Sequence, residues 1–597
     1  MSSTNPRVTE WVSQTSAKLS SATATEGIRM LGSVESGIYC GCGGYAGLTD
    51  LPILSALSSA RDVLSSSSLI VFGGCGTSGR IGYFASLLHA SQPVAYTHAG
   101  GDEALVLSRE LPEDDPEAGK TDLEGVVESG GGWGGVAYVG VSCGLSAPYV
   151  AGQVAAAVDK DSTEGNEVGV VLIGFNPRDG IRDVKVEGWG ENTFRSVVDT
   201  MLPAGEERVN GSHILLNPVL GPEPVAGSSR MKGGTATLIL ADLLLSNPGS
   251  QMEHQELIQA VNVYEEVSQR VYADESGTLA RAVEAVASSL RAKDGHVHYV
   301  GAGLAGIMAA IDISEMVDTY GAPLDQIRAF VAGGWGAMGN HDGPLLPPRE
   351  EGTPDRGLLD LDLANFEANI LPALTPDDTV IAVLPEAQHP ESKAAVDRLA
   401  SIVAAARGAG ASTVVIDTAG TQSAHASFGE STVVVPILAG RREIAFPSLR
   451  SRQVMGVKLV CNTLTTLGKV AEGVVYGNRM INMGIANQKL FYRAIDMISE
   501  LASVPRDTGY VSLLCGIYGP RGEDLALSGG LDEETPESIR VHVEAATPKP
   551  NVLPRGILTA ALGMDVVPEL DAMLAREPSL ARLITQSQSQ SQSQSQS

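Results

Sequence analysis

Residues 71–85 read VFGGCGTSGRIGYFA and place Gly73, Gly74, Gly76 and Gly79 around Thr77 and Ser78, between an apolar run and a helix-like one. A strand that ends in bare backbone and turns at once into a helix aims unpaired N–H groups and the positive end of the helix dipole at one spot. An anion is stabilised there. No Lys-Ser/Thr follows the last glycine, so this is not a Walker loop. Nor is it read as a dinucleotide fingerprint, which wants an acidic residue about 20 residues on. Packing alone could call for a tight glycine turn. The coincidence of loop, hydroxyls and helix start favours the anion.

Two further turns carry similar chemistry. VGVSCGLSAPYVAG (139–152) sets Ser142, Cys143, Gly144 and Ser146 between a strand and its helix, with Ser146 also suited to a plain N-cap. GPEPVAGSSRMKGGTATLILADLLLS (221–246) sets Ser228, Ser229, Arg230 and Lys232 before a long apolar helix. Hydroxyls, a guanidinium and an ammonium there suit a phosphorylated ligand; an N-cap with solvated basic residues is the alternative. The acidic run LSRELPEDDPEAGKTDLEG (107–125) contains Glu110 and Glu113. If it lines the pocket, these carboxylates can accept hydrogen bonds from sugar hydroxyls or act as general bases; otherwise it is a solvated face.

Strands and helices must position these turns. Apolar runs at 69–74, 136–142, 168–175, 297–302, 379–385, 412–417 and 431–437 predict strands buried on both faces. Their alternation with helix-like runs predicts a doubly wound α/β fold with parallel sheets and ligands at the C-terminal strand ends. CGTSGRIGYFASLL (75–88) aligns without a gap on AGLAGIMAAIDISE (302–315), and HAGGD (98–102) on VAGGW (331–335), so the chain holds two copies of one unit. The expected divisions are an N-terminal helical segment 1–57, a first α/β domain 58–250, a second 251–475, a helical region 476–585 and a disordered SQ-repeat tail 586–597. Residues 338–357 read as an insertion in the second copy.

The net charge of −29 over 597 residues argues against nucleic acid or an anionic membrane surface as partner. It leaves room for a small anion held by local dipoles and a few cations. The six cysteines are scattered, with only Cys40 and Cys42 close together, and no Cys/His cluster has zinc spacing. Neither a metal nor a cofactor is expected. The start of the chain is polar, so no signal peptide is read, and no apolar run reaches the length of about 20 that spans a bilayer.

The segments GTSGR, EDDPEAGKTDLEG, GPEPVAGSSRMKGGTA and NQKL resemble the sugar isomerase (SIS) superfamily and, within it, the N-acetylmuramic acid 6-phosphate etherases. The stretches GGCGTSGR (73–80), GVSCGLSAPYVAGQ (140–153), LIGFNPR (172–178), residues 215–240 and NQKLFYRAIDMIS (487–499) are more closely similar to the glucokinase regulatory protein family, over about residues 30–580. The resemblance implies two tandem SIS domains, the second with a degenerate site, and a helical C-terminal lid. It implies a non-catalytic regulator that binds fructose 6-phosphate or fructose 1-phosphate in the first SIS domain and inhibits a glucokinase, a hexokinase-type partner, in a ligand-dependent way. A cytoplasmic or nuclear location goes with it. Carried over by motif, Gly76, Thr77, Ser78, Ser142, Cys143, Gly144 and Ser146 would meet the phosphate, and Glu110 and Glu113 would face the sugar. Ser228 and Ser229 would close the site, and Lys489 and Arg493, four apart on one helix face, would reach it from the lid. The alternative is an etherase-like lyase or amino-sugar phosphate isomerase using Glu113.

One departure bears on that choice. The etherase pattern ends the helix after the glycine loop in D-A-S-E, whose glutamate is expected to serve in catalysis. The first copy has Leu88 at that position. The second keeps Asp312-Ile-Ser-Glu315 but reads Gly303-Leu304-Ala305-Gly306-Ile307 in place of the loop, without hydroxyl or arginine. Each copy then lacks half of an acid–base pair, which favours binding over elimination chemistry. The open alternative is that Glu315 enters the first site across a pseudo-two-fold interface. For a partner surface the candidate is 436–453, with Arg441, Arg442 and Phe446; an ordinary strand-to-helix connection is the other reading.

Overall fold

The computed structural model describes residues 7–162, 167–186, 188–203, 208–209, 212–246, 252–340, 356–386, 392–418, 428–429, 432–437, 446–528, 535–563, 569–577 and 579–595. The first sheet holds β1 (Leu69–Gly74), β2 (Val94–His98), β3 (Val136–Val141), β4 (Val168–Ile173), β5 (Arg208–Val209) and β6 (His213–Leu216) in the order β2-β1-β3-β4-β6-β5. Its strands are parallel except for the antiparallel edge pair β5–β6. The second sheet holds β7 (Val297–Gly301), β8 (Ile327–Val331), β9 (Thr379–Val383), β10 (Ser412–Asp417) and β11 (Val433–Pro436), all parallel, in the order β11-β10-β9-β7-β8. The order is the same in both copies, with β1 standing where β7 does and β3 where β9 does.

All seven strands expected from the sequence are present. Six of them are interior, with helices on both faces, so they are buried almost throughout and their runs are predominantly apolar; the seventh, β11, is an edge strand with half-buried ends. In the two main sheets the sequence reading passed over β2, β5, β6 and β8. β2, VAYTH, is an edge strand with its first residues half exposed, and β8, IRAFV, is an edge strand with an arginine at its second position. An edge strand has no need of an unbroken apolar run.

Five helices position the site: α1 (Gly76–Leu88), α2 (Lys232–Leu245), α3 (Gly303–Ile313), α4 (Leu449–Glu472) and α5 (Gln488–Ala502). α1 follows β1, and α3 follows β7 in the same way. α1 packs on α2 and on α3, and α4 packs on α2 and α3, so the aligned helices of the two copies meet. Every residue of α2 is buried, as is α4 from Ser451 to Val470. One apolar core runs from the inner faces of both sheets through these helices into the C-terminal helices, while separate cores lie under the outer face of each sheet.

Within this interface Arg230 Nη1 lies 2.5 Å from Asp312 Oδ1, with both side chains 1% exposed. Arg230 also donates to Thr466 Oγ1 at 2.6 Å. The Lys232 ammonium donates to the Leu220 carbonyl. Neither cation faces an anion site, which corrects the reading that set both beside a phosphate. The turn before α2 points Arg230 into the junction between copies, while Lys232, the first residue of α2, turns to the Leu220 carbonyl beside Gly37 of the N-terminal segment.

Beyond α5 the chain continues as helices Arg506–Tyr518, Arg521–Ser528, Pro536–Ala546, Val552–Leu562, Leu570–Arg576 and Leu580–Ser595. The last one carries the SQ repeat, so helix extends into the stretch expected to be disordered. Its first turns are docked: Leu583 and Ile584 are buried, and Gln588 donates to the Leu501 carbonyl at 2.7 Å and accepts from Tyr476 Oη at 2.9 Å. A short hairpin, β12 (Val475–Tyr476) and β13 (Arg479–Met480), leads from α4 to α5. Among the described residues no helix is long and apolar enough to cross a membrane.

Candidate functional site

β1 delivers the chain to the start of α1. Gly76 has φ of +48°, a left-handed backbone that costs glycine least. A Cβ on Gly79 would lie 2.5 Å from the Gly74 carbonyl oxygen, so strand end and helix start cross at a distance only glycine permits. No side chain caps the first turn of α1, which leaves its N–H groups for an outside acceptor. Thr77 and Ser78 are buried there. Ser78 Oγ lies 3.2 Å from Cys143 Sγ, so the second turn closes against the first. In that turn Ser142 Oγ accepts from the N–H groups of Ser146 (3.1 Å) and Ala147 (3.3 Å). Ser142 is thus the local cap, and its own O–H remains as a donor.

The second copy completes this pocket. Just past α3, Glu315 Oε1 accepts from Thr77 Oγ1 at 2.8 Å and pairs with the fully buried Arg80. A Cβ on Gly76 would stand 3.3 Å from Glu113 Oε1 and 3.7 Å from Glu315 Oε1. A carboxylate from each copy therefore flanks the start of α1, and the expectation that each copy lacks half of the pair is corrected. Because α1 and α3 pack on each other, the end of one copy's helix reaches the other copy's loop. Glu315 arrives where the loop is intact. Its aligned counterpart Leu88 belongs to the copy whose partner loop has been lost. Asp312, one turn earlier, faces the interface and holds Arg230.

The second copy's own helix start is covered from within. Glu386 follows β9 as Gly144 follows β3, and its Oε2 lies 3.4 Å from the N–H of Ala305, the aligned counterpart of Ser78. A protein carboxylate there occupies the favourable end of the helix dipole.

α5 covers the first pocket. Its N-cap Asn487 accepts from the Leu490 N–H at 2.9 Å and donates to Glu110 Oε2 at 2.8 Å. The Gln488 N–H donates to Asp114 Oδ2 at 3.0 Å, and Lys489 Nζ to Glu113 Oε2 at 3.2 Å. Burial pulls the Lys489 pKa down, but the carboxylates of Glu113 and Glu110 outweigh it and hold the ammonium charged. Burial raises Glu113, against the opposing pull of Lys489. Glu110 is pushed up to about 8 by burial and by Glu113, with Glu315 adding to the effect and Lys489 and Arg80 opposing it.

This has a consequence for stability. A carboxyl whose pKa is higher in the folded than in the unfolded chain binds more protons when folded, so stability falls as pH rises between the two values. For Glu110 that window runs from its ordinary 4.5 to about 8. Thermal denaturation of the wild type and of Glu110→Gln from pH 5 to 8.5 should show the variant losing less stability than the wild type. Parallel curves would remove Glu110 from the account.

Arg493 is held by the N-terminal segment and by the third loop. Its Nη2 donates to both oxygens of Glu10 at 2.8 Å and its Nη1 to the Gly227 carbonyl at 3.3 Å. Four residues along the helix from Lys489, this side chain meets the N-terminal segment and the third loop. Ser228 is buried, and its Oγ has no hydrogen-bond partner among the described residues; Ser229 is exposed. Only the former turns inward. Arg80, Asn487 and Glu10 went unassigned in the sequence reading. The first two lie inside quoted motifs, GTSGR and NQKL; Glu10 lies in a stretch with no pattern. Arg441 and Arg442 of the candidate partner loop lie outside the described residues, and Phe446 is half-buried.

Sequence models of the glucokinase regulatory protein match in three stretches: its N-terminal SIS domain over residues 53–158, its second SIS domain over 273–470 and its C-terminal lid domain over 477–584. A glucokinase regulatory protein of Xenopus laevis is 31% identical over 511 residues, covering 82% of this chain and 77% of that protein. The chain belongs to the glucokinase regulatory protein family. The Homo sapiens glucokinase regulatory protein is 30% identical, over 97% of this chain and 92% of that one. An N-acetylmuramic acid 6-phosphate etherase of Symbiobacterium thermophilum is 29% identical over 257 residues, 43% of this chain. As in the family models, the two sheets of this glucokinase regulatory protein family member are tandem SIS units followed by a helical lid.

Proposed function

We propose that the chain is a sugar-phosphate-responsive regulator that inhibits a glucokinase-type hexokinase, with fructose 6-phosphate or fructose 1-phosphate held at the start of α1. One observation carries this reading: the two SIS units and the lid meet at a single pocket, through Thr77, Glu315 and Lys489. The phosphate lies against the uncapped first turn of α1 and the hydroxyls of Thr77, Ser78 and Ser142. Glu110 and Glu113 accept from sugar hydroxyls. The phosphate competes with Glu113 for the Lys489 ammonium, so binding changes what holds α5 in place. A ligand that favours one lid position shifts affinity for any partner that reads that position, and the partner shifts ligand affinity by the same factor.

Lys489→Met should weaken fructose 6-phosphate binding about 10- to 100-fold, the value of one charge-assisted hydrogen bond. Isothermal titration measures it, and unchanged affinity would place the phosphate elsewhere. The overall test is titration with fructose 6-phosphate, fructose 1-phosphate and N-acetylmuramic acid 6-phosphate, the last watched for lactate release. Binding of a fructose phosphate, followed by ligand-dependent capture of a glucokinase, supports the regulator.

A second reading is favoured by one observation. Glu113 and Glu315 flank the same glycine, as a general base and a general acid on one ligand would. Lactate release from the muramyl compound, abolished in Glu113→Gln, would establish lyase chemistry in this pocket.

A further inference from the structure

The segment from Val8 to Ser21 crosses between the pocket's loops and the lid. The Thr9 N–H donates to Asn176 Oδ1 at 2.9 Å, and Asn176 Nδ2 donates to Thr9 Oγ1 and to the Gly144 carbonyl, each at 3.0 Å. Thr9 is thereby tied to the second loop of the pocket. The next residue, Glu10, is tied to the lid through Arg493, which also holds the Gly227 carbonyl of the third loop. Further along, Ser16 Oγ donates to the Pro224 carbonyl at 2.6 Å, and Asn478 Nδ2 donates to the Ser13 carbonyl at 2.9 Å. Adjacent residues thus grip two bodies that otherwise meet around the ligand. Arg493 lies one helical turn after Lys489, so fixing its guanidinium fixes the rotation of α5 and the direction of the ammonium.

We infer that the N-terminal segment is a strap that sets the closure of the lid over the pocket, with Glu10 as a positioning residue acting through Arg493. The inference rests on the pocket being a sugar-phosphate site. It adds that affinity there is controlled by residues that touch no ligand. With Arg493 committed to Glu10, Lys489 is left as the cation of α5 that meets the phosphate. Releasing the strap frees α5 to rock, so a bound ligand escapes sooner.

The test uses the full chain. Glu10→Gln should weaken fructose 6-phosphate binding about tenfold, within the usual range of coupling between sites, mainly through faster dissociation. Arg493→Gln should cost at least as much, since it also releases the Gly227 carbonyl, and the double variant should be no weaker than Arg493→Gln alone, because Glu10 acts only through that guanidinium. Glu10→Asp should recover part of the affinity. Hydrogen exchange on the ligand-free protein gives a readout independent of the ligand: Glu10→Gln should speed exchange in α5 and in residues 142–147 together, with β7–β10 unchanged. Wild-type affinity in Glu10→Gln, additive losses, or unaltered exchange would overturn the strap. If the wild type binds no fructose phosphate yet exchange rises in both segments, the strap stands and the sugar-phosphate reading falls.

Discussion

Ser78→Glu is expected to abolish sugar-phosphate binding while leaving the protein folded. Ser78 is buried in the first turn of α1, against Cys143, where no side chain caps the helix. A carboxylate there brings its own negative charge to the amides a phosphate would use, so the helix start is satisfied and the fold is kept. The phosphate then meets a like charge at close range and loses its donors. Loss of more than about 100-fold in affinity follows, since the charge-assisted hydrogen bonds to several N–H groups go together. Glu386 in the second copy is the natural version of this substitution, one carboxylate beside the N–H of Ala305. Calorimetry with fructose 6-phosphate measures the affinity, and circular dichroism confirms the fold. Ser78→Ala separates charge from hydroxyl loss and should cost far less. Wild-type affinity in Ser78→Glu would mean that the glycine loop is a packing turn.

Asp312→Ala is expected to cost about 3–5 kcal/mol of stability, the penalty for stranding one member of a buried ion pair. Asp312 accepts from Arg230 at 2.5 Å, from Thr465 Oγ1 at 2.9 Å and from the Asn462 amide. Removing it leaves a guanidinium 1% exposed and without a counter-charge. Because the pair ties the first SIS unit to the second, the loss should appear in urea denaturation as earlier separation of the units. The double variant Asp312→Leu/Arg230→Met removes both charges and should recover much of the loss. Asp312→Ala should also weaken ligand binding, since Glu315 lies one turn away. An unchanged urea midpoint would show that the pair contributes nothing to the junction.

Much of this molecule is legible in its residues. The central strands declare themselves because burial on both faces leaves them uninterrupted apolar runs, and the edge strands β2 and β8 do not. The gapless match of 75–88 with 302–315 reveals the duplication. The glycines, Thr77 and Ser78 point to an anion because helix starts have unpaired donors in any fold. Lys489 and Glu113 are visible as members of motifs. Arg230 and Lys232 mislead, because a cation beside a helix start reads the same whether it turns towards a ligand or into an interface. For Arg493, helix periodicity gives its face and not its partner there, Glu10.

The sequence by itself determined the two α/β copies, the helical region after them, the glycine- and hydroxyl-rich start of α1 and the one copy in which that start is intact. Those properties follow from local rules of periodicity, backbone freedom and helix polarity. Only the tertiary structure decided that Glu315 serves the first copy's pocket, that Glu386 covers the second helix start, and that Glu10 holds Arg493. Each depends on which surfaces pack together. The contact of α1 with α3 brings Glu315 beside Thr77, 238 positions apart, and no local pattern records that meeting.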